Sequence, residues 1–262
     1  MHCNAVWTVI VWDLTQTTIL LCEIPAMPDG IRPTPEVLRA AELTEQCGHL
    51  EGTALMAAVL QAFPGRIALV SSFGTESAVL LAVAAEVDPT IPVIFVDTGK
   101  LFGETLRYRD QLVQRLGLTD VRTVGPPKGD MAAADGDGLL WQKAPDACCH
   151  LRKTLPLRAA LDGFDAWITG RKRFQATTRA ALPLFETQDG RVKVNPLAQW
   201  DRARIDEEFA SRKLPRHPLE ADGFLSIGCY TCTERVAPGA DPRSGRWAGQ
   251  NKIECGIHTT GS

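Results

Sequence analysis

The sequence is short of several things, and each shortage removes a class of function. Neither sign of charge dominates: 28 basic residues against 31 acidic ones leave a net charge of −3. No global basic field therefore asks for nucleic acid or for an anionic membrane surface. The longest apolar stretch, Ala5 to Met27, is broken by Asp13 and Glu23 and has no basic residue ahead of it. It reads neither as a secretory leader nor as a membrane span. Internal repeats and low-complexity segments are absent, as are a Walker A loop and a dinucleotide-binding glycine fingerprint. The scarcity of these features contrasts with eight cysteines, Cys3, Cys22, Cys47, Cys148, Cys149, Cys229, Cys232 and Cys255. Without a leader they point away from a disulfide framework and toward metal binding or redox chemistry in a cytoplasmic protein.

A chain of 262 residues, 45 % apolar and 23 % charged, has room for one large α/β domain or two small ones. Residues 1–30 are expected to be a loosely attached extension, with Met27 a candidate start, in which case Cys3 and Cys22 carry no function. From Thr34 two amphipathic helices follow, with a loop near Gly48. Ile67–Ser72 reads as a buried strand, Thr75–Val87 as a helix of small and apolar residues, and Ile91–Val96 as a second strand. Leu101–Leu116 is a further helix, Val121–Val124 a third strand and Ala166–Gly170 a fourth. Alternating strands and helices imply a parallel twisted sheet with helices on both faces. After Pro215 the chain is loop-like, rich in Gly, Pro, Arg and Cys.

Ligands of such sheets bind at the carboxyl ends of the strands. Three segments fall there: Ser71–Ser77, Asp97-Thr98-Gly99 and Gly170-Arg171-Lys172-Arg173. The first joins a glycine turn to a helix start, where free N–H groups and hydroxyls suit an anion, although a plain helix cap reads the same way. The last reads equally as anion recognition or as a solvated charge run. The cysteines are more specific. Cys148-Cys149 and Cys229-x-x-Cys232 together offer four thiolates, which suit either zinc or an iron–sulfur cluster. An adjacent pair is awkward for one ion, since neighbouring helical side chains diverge, whereas a cluster presents separate irons; [4Fe–4S] is the favoured reading. Lys153 falls one helical turn after Cys149 on the same face, and with Arg152 would bring positive charge between a cluster and an anionic substrate. Cys255 stands alone near the chain end, within Glu254-Cys255-Gly256-Ile257-His258. Chain ends rarely bury core residues, so a thiol there is explained either by reactivity or as an incidental tail residue.

Taken together these residues resemble the assimilatory sulfonucleotide reductases, on the adenylyl-sulfate (APS) branch that carries an iron–sulfur cluster. The resemblance runs from about Ile67 to His258. It rests on Ser72-Phe73-Gly74-Thr75-Glu76-Ser77, Val96-Asp97-Thr98-Gly99, Cys148-Cys149-His150-Leu151-Arg152-Lys153 and Thr169-Gly170-x-Lys172-Arg173-x-Gln175. It rests also on Cys229-x-x-Cys232, Arg243-x-x-Arg246-Trp247 and the Cys255 segment. It implies an adenine-nucleotide α-hydrolase-like fold, with a nucleotide-binding domain over 31–225 and a C-terminal redox segment over 226–262.

The resemblance further implies Cys255 as the nucleophile and Cys148, Cys149, Cys229 and Cys232 as ligands of a [4Fe–4S] cluster. Lys153, Arg243, Arg246 and His258 would contact the phosphosulfate. The strand-end loops, through Ser72, Gly74, Thr75, Glu76, Asp97, Thr98, Gly99, Gly170 and Arg173, would hold the adenosine. Reduction of APS to sulfite and AMP would pass through a cysteine S-sulfonate, relieved by thioredoxin or a glutaredoxin-like reductant, in sulfate assimilation and cysteine biosynthesis. No nucleic acid or membrane partner is implied, and a homo-oligomer stays open. The competing readings are a 3′-phosphoadenylyl-sulfate reductase, whose branch lacks the four cysteines, and an ATP-dependent adenylating or tRNA sulfur-transfer enzyme. The latter would need an intact Ser-Gly-Gly-x-Asp-Ser loop, which this chain does not have. A non-catalytic zinc module would leave Cys255 unexplained.

Overall fold

Three short apolar segments and, third in chain order, a more polar edge strand build most of the parallel part of the sheet. In the computed structural model, which describes residues 32–249, 252 and 254–258, these are β1 (Ile67–Val70), β2 (Val93–Val96), β3 (Val121–Val124) and β4 (Ala166–Thr169). They pair in parallel, and a hairpin of β5 (Phe185–Gln188) and β6 (Arg191–Val194) completes a six-stranded sheet in the order β3-β2-β1-β4-β6-β5. Strand β6 runs parallel to β4, and only β5 is antiparallel. The hairpin turns on Asp189 and Gly190, both with positive φ (52° and 72°), the backbone a two-residue turn between twisted strands requires. The extension expected over residues 1–30 lies outside the described residues.

The alternation of side chains along each strand gives the two faces different partners. Ile67, Leu69, Val93, Phe95 and Ile168 pack under α1 (Pro35–Cys47), α2 (Gly52–Ala62), α3 (Ser77–Val87), α4 (Gly103–Leu116) and α9 (Arg202–Ser211). Ala68, Ile94 and Trp167 pack on the other side against Leu157 and Leu161, at the end of the helical run that links β3 to β4. Helix α3 touches α2, α4 and α9 as well as the core, so every residue from Ala78 to Ala84 is buried. That is why it carries no polar face. Among the described residues no helix is long and apolar enough to cross a membrane.

The link from β3 to β4 holds α5 (Lys128–Ala134), α6 (Leu140–Lys143) and a longer helix that changes pitch midway. Its first part is α7 (Pro145–Cys149), its middle a π-turn (His150–Thr154) and its last part α8 (Leu155–Ala160). Pro156 explains the wide turn: it has no N–H for the carbonyl four residues back, and its ring would crowd that carbonyl in a regular α-helix. The simple α-helical spacing expected between Cys149 and Lys153 is therefore replaced by a π-turn.

Strands β1, β2 and β3 step outward in one direction, after which the chain returns to lay β4 on the opposite side of β1. The carboxyl ends of β1 and β4 thus diverge at a topological switch point, where such sheets open a crevice.

Candidate functional site

The crevice is bounded by the loop after β1 and the loop after β4. Phe73 holds φ at 49° although it is not glycine, with its ring buried edge-on against Phe95. This sharp turn brings the following residues over the sheet edge, where the Ser77 hydroxyl accepts from Gly74 N at 2.9 Å and ends the turn. A side chain on Gly74 would press the Ser72 hydroxyl at 3.4 Å. Helix α3 consequently starts at Ser77, two residues later than expected, and Thr75 and Glu76 belong to the turn. Across the crevice Lys172, only 2 % exposed, pairs with Glu76 at 2.9 Å and donates to the Gly170 carbonyl. Gln175 donates to Glu76 at 2.8 Å and Arg202 meets it at 2.5 Å. Burial opposes the Glu76 charge, but Lys172 and Arg202 outweigh it and hold the carboxyl below its ordinary range. The Glu76 carboxylate thereby locks the two loops together.

The third wall comes from the C-terminal segments. Arg246 crosses over residues 227–228: its Nη1 donates to the Ile227 carbonyl, and a Cβ on Gly228 would sit 2.3 Å from its Nη2. Glycine at 228 is what lets the guanidinium reach the cleft beside Lys153. Glu254 fastens the tail. It accepts two hydrogen bonds from Arg179, both 2.8 Å, one from Arg243 at 3.3 Å and one from Cys255 N at 3.1 Å. Cys255 is 8 % exposed and faces the cleft. While Cys149 carries its proton, a hydrogen bond from that thiol and then the positive charges of Lys153 and Arg246 lower the Cys255 thiol pKa well below the ordinary value, against the effect of burial; with Cys149 bound as a ligand, the two cations alone act in that direction. The same proximity raises the Cys149 thiol. Lys153 loses from burial but gains more from Cys255, Cys229 and Cys149, so its pKa is raised and it keeps its charge. His258 is held neutral by burial and by Lys193, Arg171, Arg179 and Arg243 nearby. Three buried nitrogens of residues lining this cleft, Arg171 Nε, Arg246 Nε and His258 Nδ1, have no hydrogen-bond partner among the described residues. Buried donors of this kind normally find an acceptor, and a multiply charged anion would supply one.

On the far side of Lys153 lie four further thiols. Cys148 and Cys149 end α7 and are buried; Cys229 is buried and Cys232 half-buried at the two ends of a single 3₁₀ turn. That turn is tied to β2's outgoing loop by Tyr230 N to the Lys100 carbonyl at 2.9 Å, and to the tail by Trp247 N to the Cys232 carbonyl at 3.1 Å. Thr98 Oγ1 lies 3.2 Å from Cys229 Sγ. Arg152 is buried, bonded to Asp135 and to the Thr98 carbonyl at 2.6 Å. The thiols do not converge on one point: among the described residues no three His, Cys, Asp or Glu side chains are placed to hold a single metal ion. An all-sulfur donor set drawn from two segments, with Arg152, Lys153 and Lys252 acting on it, fits an anionic iron–sulfur cluster in its chemistry.

The structure thus brings Ser72, Gly74, Thr75, Glu76, Lys153, Gly170, Arg243, Arg246, Cys255 and His258 to one cleft. Four of the expected contacts do not line it. Asp97, Thr98 and Gly99 do not line the cleft; Asp97 caps its own turn by accepting from Gly99 N, and Thr98 serves the thiol side. Arg173 also stays out of it, exposed in a 3₁₀ turn and donating to the Leu182 carbonyl, while Lys172 just before it faces inward. The residues that sequence reasoning passed over are Arg179, Arg202 and Glu254. Glu254, adjacent to Cys255, was within reach of a charge argument, whereas Arg179 and Arg202 stand in segments with no local signal.

Residues 66–235 match the family described as the phosphoadenosine phosphosulfate reductase domain. An adenosine 5′-phosphosulfate reductase of Mesorhizobium japonicum is 50 % identical over 224 residues, covering 85 % of this chain and 88 % of that one. A phosphoadenosine 5′-phosphosulfate reductase of Gloeobacter violaceus is 38 % identical over 247 residues, 91 % of this chain and 99 % of the relative. The crystal structure of a phosphoadenylyl-sulfate reductase from Candida auris superposes with a TM-score of 0.65 at 24 % identity, over 79 % of this chain and 99 % of the other, and so shares the fold. With the profile spanning most of the sheet and the relatives spanning nearly their full lengths, the chain belongs to the phosphoadenosine phosphosulfate reductase family.

Proposed function

We propose that the protein reduces adenosine 5′-phosphosulfate to sulfite and AMP through a sulfonated Cys255. The observation that carries this reading is a buried thiol, Cys255, facing a cleft that also presents Lys153, Arg246, Arg243 and the unpartnered nitrogens of Arg171 and His258. The loops after β1 and β4 would take the nucleoside, and the cations would take the phosphosulfate. The Cys255 thiolate attacks sulfur, the S–O bond to phosphate breaks, and the electron pair leaves on AMP, whose added charge the same cations stabilise. The product is a cysteine S-sulfonate. One thiolate of a thioredoxin-type dithiol then attacks Cys255 Sγ and expels sulfite, and the second thiol resolves the mixed disulfide. Two electrons pass from the dithiol to the sulfonate sulfur.

Cys148, Cys149, Cys229 and Cys232 would hold a [4Fe–4S] cluster. Bound there, it supplies a fixed centre of charge beside Lys153 and a tie between α7 and the C-terminal segment. Lys153 holds its proton and orients the anion; Arg243 and Arg246 neutralise it; the loops over the cleft exclude water.

Sulfite release measured side by side with the two sulfonucleotides tests substrate choice. A site built for a bare 3′-hydroxyl leaves an added phosphate unpaired, so APS should be strongly preferred. Equal turnover of both would remove the APS assignment and favour the reading carried by the Gloeobacter relative's name. Incubation with APS and no reductant should release about one AMP per chain in a burst, with one sulfonate on the Cys255 peptide by mass spectrometry.

A further inference from the structure

The turn Gly256–His258, which carries Cys255 at its head, rests in a seat built by side chains that do not themselves line the cleft, Leu157, Leu161, Trp167, Gln188 and Lys193. From this geometry we infer that Ile257 and Gln188 are positioning residues: together they set how much of the time Cys255 is held over the substrate rather than released toward a reductant. The inference rests on the proposed role of Cys255.

Ile257 packs against the small apolar cluster under the sheet, with Leu157 of α8, Leu161 just after it and Trp167 of β4. A minor cavity beside it is lined by these residues with Thr154 and Gln188. Gln188, 8 % exposed at the end of β5, donates from Nε2 to the Ile257 carbonyl at 3.1 Å. The orientation of its amide is fixed from the other end. Lys193 on β6, 1 % exposed and 4.6 Å above the Trp167 ring, donates to Gln188 Oε1 at 2.6 Å. The Ile257 carbonyl can only accept, so the amide N–H must face the tail and the amide oxygen must face Lys193, whose nitrogen donates to it whether or not burial has removed its charge. The His258 ring lies parallel to Trp167, and His258 N donates to the Cys255 carbonyl at 2.9 Å, closing the turn. Cys255 and Ile257 are thus two ends of one short, internally bonded unit, and what loosens Ile257 loosens Cys255.

Cys255 needs both positions. At 8 % exposure in the seated state it is inaccessible to a protein dithiol, yet attack on substrate requires it in the cleft. Beside the Glu254 fastening, the seat of Ile257 adds an apolar contact on one side and a neutral hydrogen bond on the other, increments small enough to tune the seated fraction without fixing it.

The test reads the seat directly. In the loaded protein, alkylation of Cys255 by iodoacetamide, followed by mass spectrometry without any substrate, reports the released state. Ile257→Ala should accelerate it about tenfold, the effect of losing part of a buried aliphatic side chain. Gln188→Glu retains an acceptor for Lys193 but has no donor for the Ile257 carbonyl, so the fold is kept and alkylation should rise about fivefold. Ile257→Leu should return the rate to within about twofold of wild type. The AMP burst should slow in Ile257→Ala, while reduction of the preformed S-sulfonate by thioredoxin should not. Alkylation unchanged within twofold in both Ile257→Ala and Gln188→Glu would overturn the inference. A wild-type protein that gives no AMP burst, with variants that still alkylate faster, would instead remove the proposed reaction and leave the seat standing.

Discussion

Glu254 is the residue whose loss should separate binding from chemistry. Its carboxylate takes two charge-assisted hydrogen bonds from Arg179 and one from Arg243, and it accepts from the backbone of Cys255 itself. The Glu254 side chain is only 16 % exposed, so solvent screens this pairing little. Glu254→Gln retains the shape but removes the charge and one acceptor oxygen. Hydrogen bonds to charged groups are each worth about 1.5–3 kcal/mol. Arg179 retains Gln175 as an acceptor at 2.6 Å, which offsets part of the loss. A net cost of about 2 kcal/mol to the seated tail follows, or about thirtyfold in the equilibrium constant between seated and released tails. The AMP burst in rapid-quench experiments with saturating APS should slow by up to that factor, and alkylation of Cys255 should rise. Affinity for APS, measured in a Cys255→Ser background, should hold or tighten, because Arg179 and Arg243 lose a competing anion. The sign of the pH dependence is also fixed. The arginines hold the Glu254 carboxyl below its ordinary range against the effect of burial. Its contribution is therefore complete above about pH 4.5 and fades only as pH falls through the lowered value, leaving the burst independent of Glu254 titration between about pH 6 and 8. A Glu254→Gln burst within twofold of wild type, with unchanged alkylation of Cys255, would refute the latch.

Cys255→Ser should keep its cluster colour and bind APS but give no AMP burst, since a serine hydroxyl is a far weaker nucleophile near neutral pH; turnover with a chemical reductant would exclude Cys255. Cys149→Ser or Cys232→Ser should bleach the anaerobically purified protein, and a brown variant with four irons per chain would exclude that ligand. His217, buried against Tyr108 and bonded to Thr105 at 3.1 Å, is pushed down to about 4 by burial. The unfolded chain then binds more protons than the folded one between about pH 4 and 6.5, so the Tm should fall as pH drops through that window and should fall less in His217→Asn.

The parts of the fold that were legible are those with strong local signals. Ile67–Val70, Val93–Val96 and Ala166–Thr169 are apolar runs bounded by turn residues, as strands buried on both faces must be. The β5–β6 hairpin escaped notice because Glu186, Arg191 and Lys193 break its apolar pattern, although Asp189-Gly190 is a strong two-residue turn signal. Those charges are tolerated because Lys193 and Glu186 find partners across the hairpin and from Arg171 and Gln188. The π-turn was hidden by the regular spacing of Cys149 and Lys153, and Pro156 was its one visible cause. Most of the cleft was legible from motifs, because strand ends and a terminal cysteine have fixed places in this topology. Arg179 and Arg202 were not, since each acts through a partner distant in sequence, Glu254 in one case and Glu76 in the other.

The strand-end loops were expected to share one duty, and their separation has a physical origin in the strand order. The crevice opens only between β1 and β4, where the chain reverses direction across the sheet. The loop after β2 leaves its strand one place further along, so Thr98 Oγ1 lies against Cys229 Sγ, and the Thr98 carbonyl takes the Arg152 guanidinium. Arg152 and Lys153, adjacent in the π-turn, consequently point to different tasks. Arg152 is spent on Asp135 and the β2 loop, which fixes the thiol-bearing helix to the sheet. Lys153 is left to the cleft and to the Cys255 thiolate. A regular α-helix would separate neighbours by about 100°, and the wider π-turn changes that angle at the one place where two successive cations must serve two sites. The four thiols, Cys255 and the cleft are therefore joined through five residues, His150–Thr154. A change there, even one that leaves every thiol in place, should disturb colour and catalysis together.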